Sequence, residues 1–242
     1  MFEVARDYPT ALAADPSQPD LALRTAMQWV LTKQVEVGGD VLVFAPGKQN
    51  INQNSLLATF CKRPRTQIAT WRKPALGWAG GPALAVWPNR DKLAEVADRS
   101  GIRALVVVPW ADGEVDAWAG ATHPELLIGA EQGPLPDPLD PVVVEGLKSL
   151  TAMVNHSNNL AGALDKRDAV AVLTTLYRGG HVLDAQAIYT WALANSWPGR
   201  GAERLREMAE RIGSGHRMQS NTRENPLRPD ALARWRDNGS VQ

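Results

Sequence analysis

The chain is poor in the residues that staple small folds or hold soft metals. Its 242 residues include one cysteine, Cys61, and four histidines, His123, His156, His181 and His216. A single cysteine excludes an intramolecular disulfide and a thiolate metal cluster, and no two histidines stand at a zinc-ligand spacing. Long apolar runs are also missing. The strongest, Ile102 to Trp110, is interrupted by Arg103 and Pro109 and has the length of a strand rather than the ~20 residues of a membrane span. The opening Met1 to Asp7 is mixed and polar, without the basic start and apolar stretch of a secretory signal. A reducing cytoplasmic setting, with no membrane partner, is the expectation. Net charge is absent as well: Lys plus Arg is 26 and Asp plus Glu is 26. That excludes a uniformly basic nucleic-acid coat but not a local patch. The chain contains no Walker A loop, no Gly-x-Gly-x-x-Gly and no Gly-x-Ser-x-Gly around its serines.

What is present is enough apolar residue, 44%, to bury a substantial core. Residues 1–19 are turn-rich, with Pro9, Pro16 and Pro19, and read as an N-terminal extension. From Asp20 to Val35 apolar residues recur at helical spacing and Gly38-Gly39 closes the run. Short apolar runs then alternate with helical segments. Val41–Phe44, Gln67–Trp71, Ala83–Trp87, Ile102–Val108 and the short Leu126–Ile128 read as strands. Segments from Asn54 or Ser55 to Lys62 and from Asp91 to Arg99 read as helices, with a short one at Val115–Ala119. Residues 20–132 are thus expected to form a small Rossmann-like α/β domain. Its mostly parallel or mixed sheet would have 4–5 strands and flanking helices. Because Arg72–Gly81 contains no helix, the second and third of these strands could also pair antiparallel.

Prolines crowd residues 133–141, which read as a semi-rigid linker. Beyond it no strand is evident. Val142–Val154, a segment capped by Asp165 and ending at Gly179-Gly180, one capped by Asp184 and running to Asn195, and Ala202–Ile212 each carry an apolar stripe. They predict a small all-α helical domain over 142–213, followed by a polar, basic tail at 214–242, with a short helix at Asp230–Arg236, that is expected to be peripheral or mobile.

Charge is sorted along the chain. Between Val41 and Arg90 lie Lys48, Lys62, Arg63, Arg65, Arg72, Lys73 and Arg90 with no acid. Between Ala104 and Leu147 lie eight acids with no Lys or Arg. Trp71, Trp78 and Trp87 are interleaved with the basic run. Indole faces that stack on bases, beside cations that contact phosphates, are the elements of a single-strand or nucleotide binder. The expected ligand is therefore an anion, a nucleic acid or a phosphorylated small molecule. Lys48, Arg72, Lys73 and Arg90 would make phosphate contacts, with Trp71 and Trp87 stacking. The competing reading is that the two runs lie side by side and neutralise each other.

Three further features bear on chemistry. The stretch Ala45–Ser55, with Gly47, Lys48 and several amides, either cradles a phosphate or simply caps the next helix. Asp112, Glu114 and Asp116 alternate after the fourth strand. They would suit Mg²⁺ in a phosphate-ester or nucleotide hydrolase, or form a solvated turn. Cys61, among Leu56, Leu57 and Phe60, reads as an inert thiol. A third functional class, a component of a larger protein assembly docking one partner through the acidic stretch and another through the helical domain, is the second rival to the anion-binding reading.

Overall fold

The computed structural model describes residues 8–111, 113–129, 137–218 and 225–240. Its contacts divide the chain into two compact units, Met1–Leu135 and Pro136–Gln242.

The first unit is a parallel sheet with helices against both faces. Its strands are β1 (Thr10–Leu12), β2 (Val41–Ala45), β3 (Thr66–Thr70), β4 (Gly81–Val86), β5 (Ile102–Val108) and β6 (Glu125–Leu126). They run in the order β3-β2-β4-β5-β1-β6, and every neighbouring pair is parallel. Between them come α1 (Pro19–Val37), α2 (Lys48–Gln53), α3 (Ser55–Phe60), α4 (Arg90–Ala97) and α5 (Asp116–Thr122).

Alternation along each strand explains the unbroken apolar runs. Val41, Val43, Leu84, Val86, Val106 and Val108 face one way, against Leu23, Met27 and Val30 of α1 and Leu57 and Phe60 of α3. Leu42, Phe44, Ala83, Ala85, Leu105 and Val107 face the other, against Leu93, Val96 and Ala97 of α4 and Trp118 of α5. A strand covered on both faces has no polar side to write into its sequence.

Two expectations are corrected here. The sheet has six strands, and the additional one, β1, lies inside the presumed extension 1–19. Three residues are too few to display a period. What holds β1 is its ladder: Thr10 pairs with Leu105 and Leu12 with Val107 on one side, and Ala11 with Glu125 on the other. The antiparallel option for β3 and β4 is also overturned. The two lie on opposite flanks of β2, each parallel to it. Residues 71–80 make the return crossover without a helix, burying Ala75 and fixing Trp78 by a 2.8 Å hydrogen bond from its Nε1 to the Asp40 carbonyl.

Glycines permit the close approach of chain at the amino ends of β2, β4 and β5. A Cβ on Gly39, at φ +86°, would stand 2.2 Å from the Gly80 carbonyl oxygen, and one on Gly81 would stand 2.4 Å from that of Asp40. Only glycine leaves room there.

The second unit is helical in its described residues: α6 (Pro141–Met153), α7 (Ala163–Arg178), α8 (Ala185–Ala194), α9 (Gly199–Gly213) and α10 (Ala231–Gly239), with a single 3₁₀ turn at His156–Asn158. Val143, Leu147, Leu150, Val172, Leu173, Leu176, Ile188, Leu205, Met208 and Ile212 are buried. Asp140 caps α6, accepting from the Val142 amide at 2.8 Å, and Asp184 caps α8, accepting from Ala187 at 2.9 Å. Asp165 is not a cap. α7 starts two residues earlier, after Gly162, and the buried Asp165 carboxylate instead accepts from the Asn155 amide at 2.9 Å and from the Asn158 side chain. It ties the α6–α7 connection to α7.

The short helix expected within the tail forms, but it is not peripheral. Within 214–242, α10 packs on α6 and buries Trp235, which is 4% exposed and whose Nε1 donates to Ser149 Oγ at 2.8 Å. Arg236 donates to the Gly179 carbonyl at 2.9 Å. One large apolar side chain in a polar segment was enough to dock it.

Candidate functional site

Parallel strands deliver their following loops to one edge of the sheet. Ligands of open α/β sheets bind at that carboxyl edge, where successive connections leave in opposite directions. Here the reversal falls between adjacent β2 and β4: β3 lies beyond β2 on one side, and β5 lies beyond β4 on the other.

A cleft of about 380 Å³ opens at this edge. It is lined by Ala13 and Asp15 after β1, Leu23 and Asp20 of α1, Asn54, Trp87 after β4 and Trp110 after β5. The two indoles meet edge to face, with centroids 5.4 Å apart and planes at 88°. Trp87 is half-buried and held at φ +57°, a left-handed conformation that a bulky residue rarely adopts. Its amide donates to the Val108 carbonyl at 2.7 Å, which fixes that backbone against the end of β5. Trp110 remains 70% exposed.

Among the described residues the charged ones in the cleft wall are Asp15 and Asp20. The Ser17 hydroxyl, at 2.6 Å, with the Ser17 and Gln18 amides, outweighs the opposing effect of burial and holds the Asp15 carboxyl below the ordinary value for an aspartate. Asp15 is thus an ionised acceptor at neutral pH, so the cleft itself suits N–H and O–H donors or a flat ring, not a phosphate.

The basic run divides between the two ends of the strands. Lys48, at the start of α2, and Arg72 and Lys73, after β3, are exposed at the carboxyl edge. Arg65 lies at the opposite, amino edge. It pairs with Asp40 at 3.2 Å, and its carbonyl accepts from the Val41 amide. Trp78 is also committed there, with the Arg99 guanidinium 5.6 Å from its ring centre. The 41–90 stretch is therefore not one electropositive face. A strand of five residues separates its halves by roughly 16 Å.

Of the six residues singled out from sequence for ligand binding, Lys48, Arg72, Lys73 and Trp87 share the carboxyl edge with side chains open to solvent at least in part. Trp71 is there too, but half-buried against the α4 face of the core, with its backbone amide donating to the Ala45 carbonyl at 3.3 Å. Arg90, the first residue of α4, is half-buried and already engaged with a partner. Of the two readings of 45–55, the capping one fits: the stretch forms the short helices α2 and α3. Asn54 caps the second by accepting from the Leu57 amide at 2.9 Å.

Of the acidic set considered for Mg²⁺, Asp112 lies outside the described residues. Glu114 and Asp116 follow β5, Asp116 as the first residue of α5. Among the described residues no three His, Cys, Asp or Glu side chains converge to hold a metal ion. Cys61 is half-buried, and burial pushes its thiol up to about 11. No helix of the described residues is long and apolar enough to cross a membrane.

Sequence reasoning alone did not find Asp15, Asp20, Leu23 and Asn54 as cleft residues. Asp15, Asp20 and Leu23 are neighbours in the chain but remote from Asn54, Trp87 and Trp110, and the placement of β1 between β5 and β6 brings them to the same cleft. Trp110 carried the one available signal, as a tryptophan closing a strand.

Comparison with known proteins adds one match. A family model described as "Domain of unknown function (DUF1889)" matches residues 139–236, a stretch lying wholly within the second unit and covering less than half of the chain. That description carries no activity. No curated protein and no solved structure matches the chain.

Proposed function

We propose that the first unit is a Rossmann-like nucleotide-binding module. The base and ribose would occupy the Trp87–Trp110 cleft, and the phosphates would lie toward Lys48, Arg72 and Lys73. The single observation that supports this most is the exposed Trp110 set against the constrained Trp87, at the edge where a parallel sheet takes its ligands. Trp87 belongs to the end of β4, adjacent to β2, whose end bears Lys48. A ligand reaching from the cleft to the basic side is thus a ring carrying phosphates. Asp15 and Asp20 accept from ribose hydroxyls or an exocyclic amine, and the lysines and arginine neutralise the phosphates.

The test uses the full chain, titrated with AMP, ATP and a short oligodeoxyadenylate while following tryptophan fluorescence and calorimetric heat. Binding is expected to be saturable and to weaken as salt rises. Trp110→Ala should weaken ATP by about tenfold or more, the loss of one stacked base. A triple Lys48→Gln, Arg72→Gln, Lys73→Gln variant should weaken ATP more than AMP. Absence of saturable binding of any probe at low salt, or binding untouched by Trp110→Ala, overturns the proposal.

A further inference from the structure

The second unit holds a feature that the first unit's site does not explain. A depression of about 430 Å³ lies where the C-terminal part of α7 meets the segment following α9. Its wall contains Thr174, Tyr177 and Arg178 from α7, and Gly215, His216 and Arg217 after α9. Arg178, His216 and Arg217 are all exposed, and among the described residues none of their side chains has a hydrogen-bond or ion-pair partner. No carboxylate is among the described residues lining it.

The turn after α9 sets the backbone path that brings these residues to one concavity. α9 ends in a closed turn: Gly215, at φ +81°, donates its amide to the Ile212 carbonyl at 2.9 Å, and the His216 amide donates to the Arg211 carbonyl at 2.9 Å. That geometry is a left-handed helix stop, and it turns the chain back so that His216 and Arg217 stand beside α7. Tyr177, 41% exposed, brings its hydroxyl within 3.7 Å of where a Cβ on Gly215 would lie. Its ring therefore forms the wall between this depression and the next, which contains Val182 and His181.

The bland alternative is that Arg178 merely complements the helix end on which it sits. A helix C-terminus carries about half a negative charge, screened within a turn. Two guanidiniums bring two full charges to one concavity, so the helix ends leave the depression net positive. Two planar forks, an imidazole and two hydroxyls on one concave wall are the donors that a tetrahedral oxyanion engages.

We infer that this depression binds a small phosphorylated molecule, with its phosphate held between Arg178, Arg217 and His216 and its adjoining part against the Tyr177 ring. The site is independent of the nucleotide cleft of the first unit and does not rest on it.

The experiment titrates the isotopically labelled full chain with pyrophosphate and follows the ring signals of His216 and Tyr177 by NMR. Saturable movement of both is expected at low salt. In an Arg178→Gln, Arg217→Gln variant, apparent affinity should fall about tenfold to a hundredfold, the loss of charge-assisted hydrogen bonds. Arg178→Lys, Arg217→Lys should retain much of it, and an Arg72→Gln, Lys73→Gln variant should leave the His216 response intact. Amide spectra establish that each variant is folded. Non-saturating movement, or a response that survives removal of both arginines, overturns the inference. A response that disappears only with the Arg72 and Lys73 changes does so as well, since the signal would then originate in the first unit.

Discussion

Trp235 gives the sharpest test of how the second unit is held together. Its segment is polar and arginine-rich, and by composition it belongs at the periphery. In the structure the indole is 4% exposed and donates to Ser149 Oγ, while the Ser149 hydroxyl donates in turn to the Glu145 carbonyl at 2.9 Å. A buried tryptophan removes roughly 200 Å² from water, about 5 kcal/mol at ~25 cal/mol per Å². Part of that area remains with the alanine Cβ, so Trp235→Ala should cost about 3–5 kcal/mol. Trp235→Phe keeps most of the ring burial and removes the N–H. Because the Ser149 hydroxyl keeps its own acceptor, that loss should be only about 1–2 kcal/mol. Urea unfolding followed by circular dichroism measures both values, and amide exchange along α6 assigns the loss to this unit. If Trp235→Ala costs less than about 0.5 kcal/mol, the range of ordinary surface changes, the docking of α10 is refuted.

Other consequences can be checked in the same way. Gly39→Ala must push a Cβ into the Gly80 carbonyl and should cost at least ~3 kcal/mol, whereas Gly180→Ala, at the same φ of +86° but with open space around it, should cost only about 1 kcal/mol. Thermal melts of the pair separate steric clash from backbone strain. Burial alone would raise the Asp140 carboxyl, but the hydrogen bond from His181, the Val142 amide and the charge of His181 outweigh it and hold it below its ordinary value. A depressed folded value means stability that is present above the unfolded pKa, ~3.9, and lost as pH falls through the folded one. The stability difference between wild type and Asp140→Asn should accordingly shrink as pH falls from about 4 to 2, as read from denaturant midpoints. Cys61, pushed up to about 11, should react with iodoacetamide at neutral pH at least about tenfold more slowly than free cysteine, as followed by intact mass.

The amino-acid order by itself determined what depends on neighbours in the chain. The runs Val41–Phe44 and Ile102–Val108 read as strands, Asp184 as a cap, and Cys61 among leucines as a quiet thiol. The helical second half follows from stripes at helical spacing. Tertiary structure decided everything that depends on which distant segments meet. β1 exists because β5 and β6 offer it hydrogen-bonding partners, not because three residues prefer extension. Asp165 became a buried acceptor rather than a cap because the α6–α7 connection presented amides to it. The basic run lost its unity for a geometric reason: a strand carries the chain from one edge of a sheet to the other. Cations adjacent in sequence, such as those flanking β3, therefore end at opposite edges, while Asp15, Asn54 and Trp110, remote in sequence, share one wall.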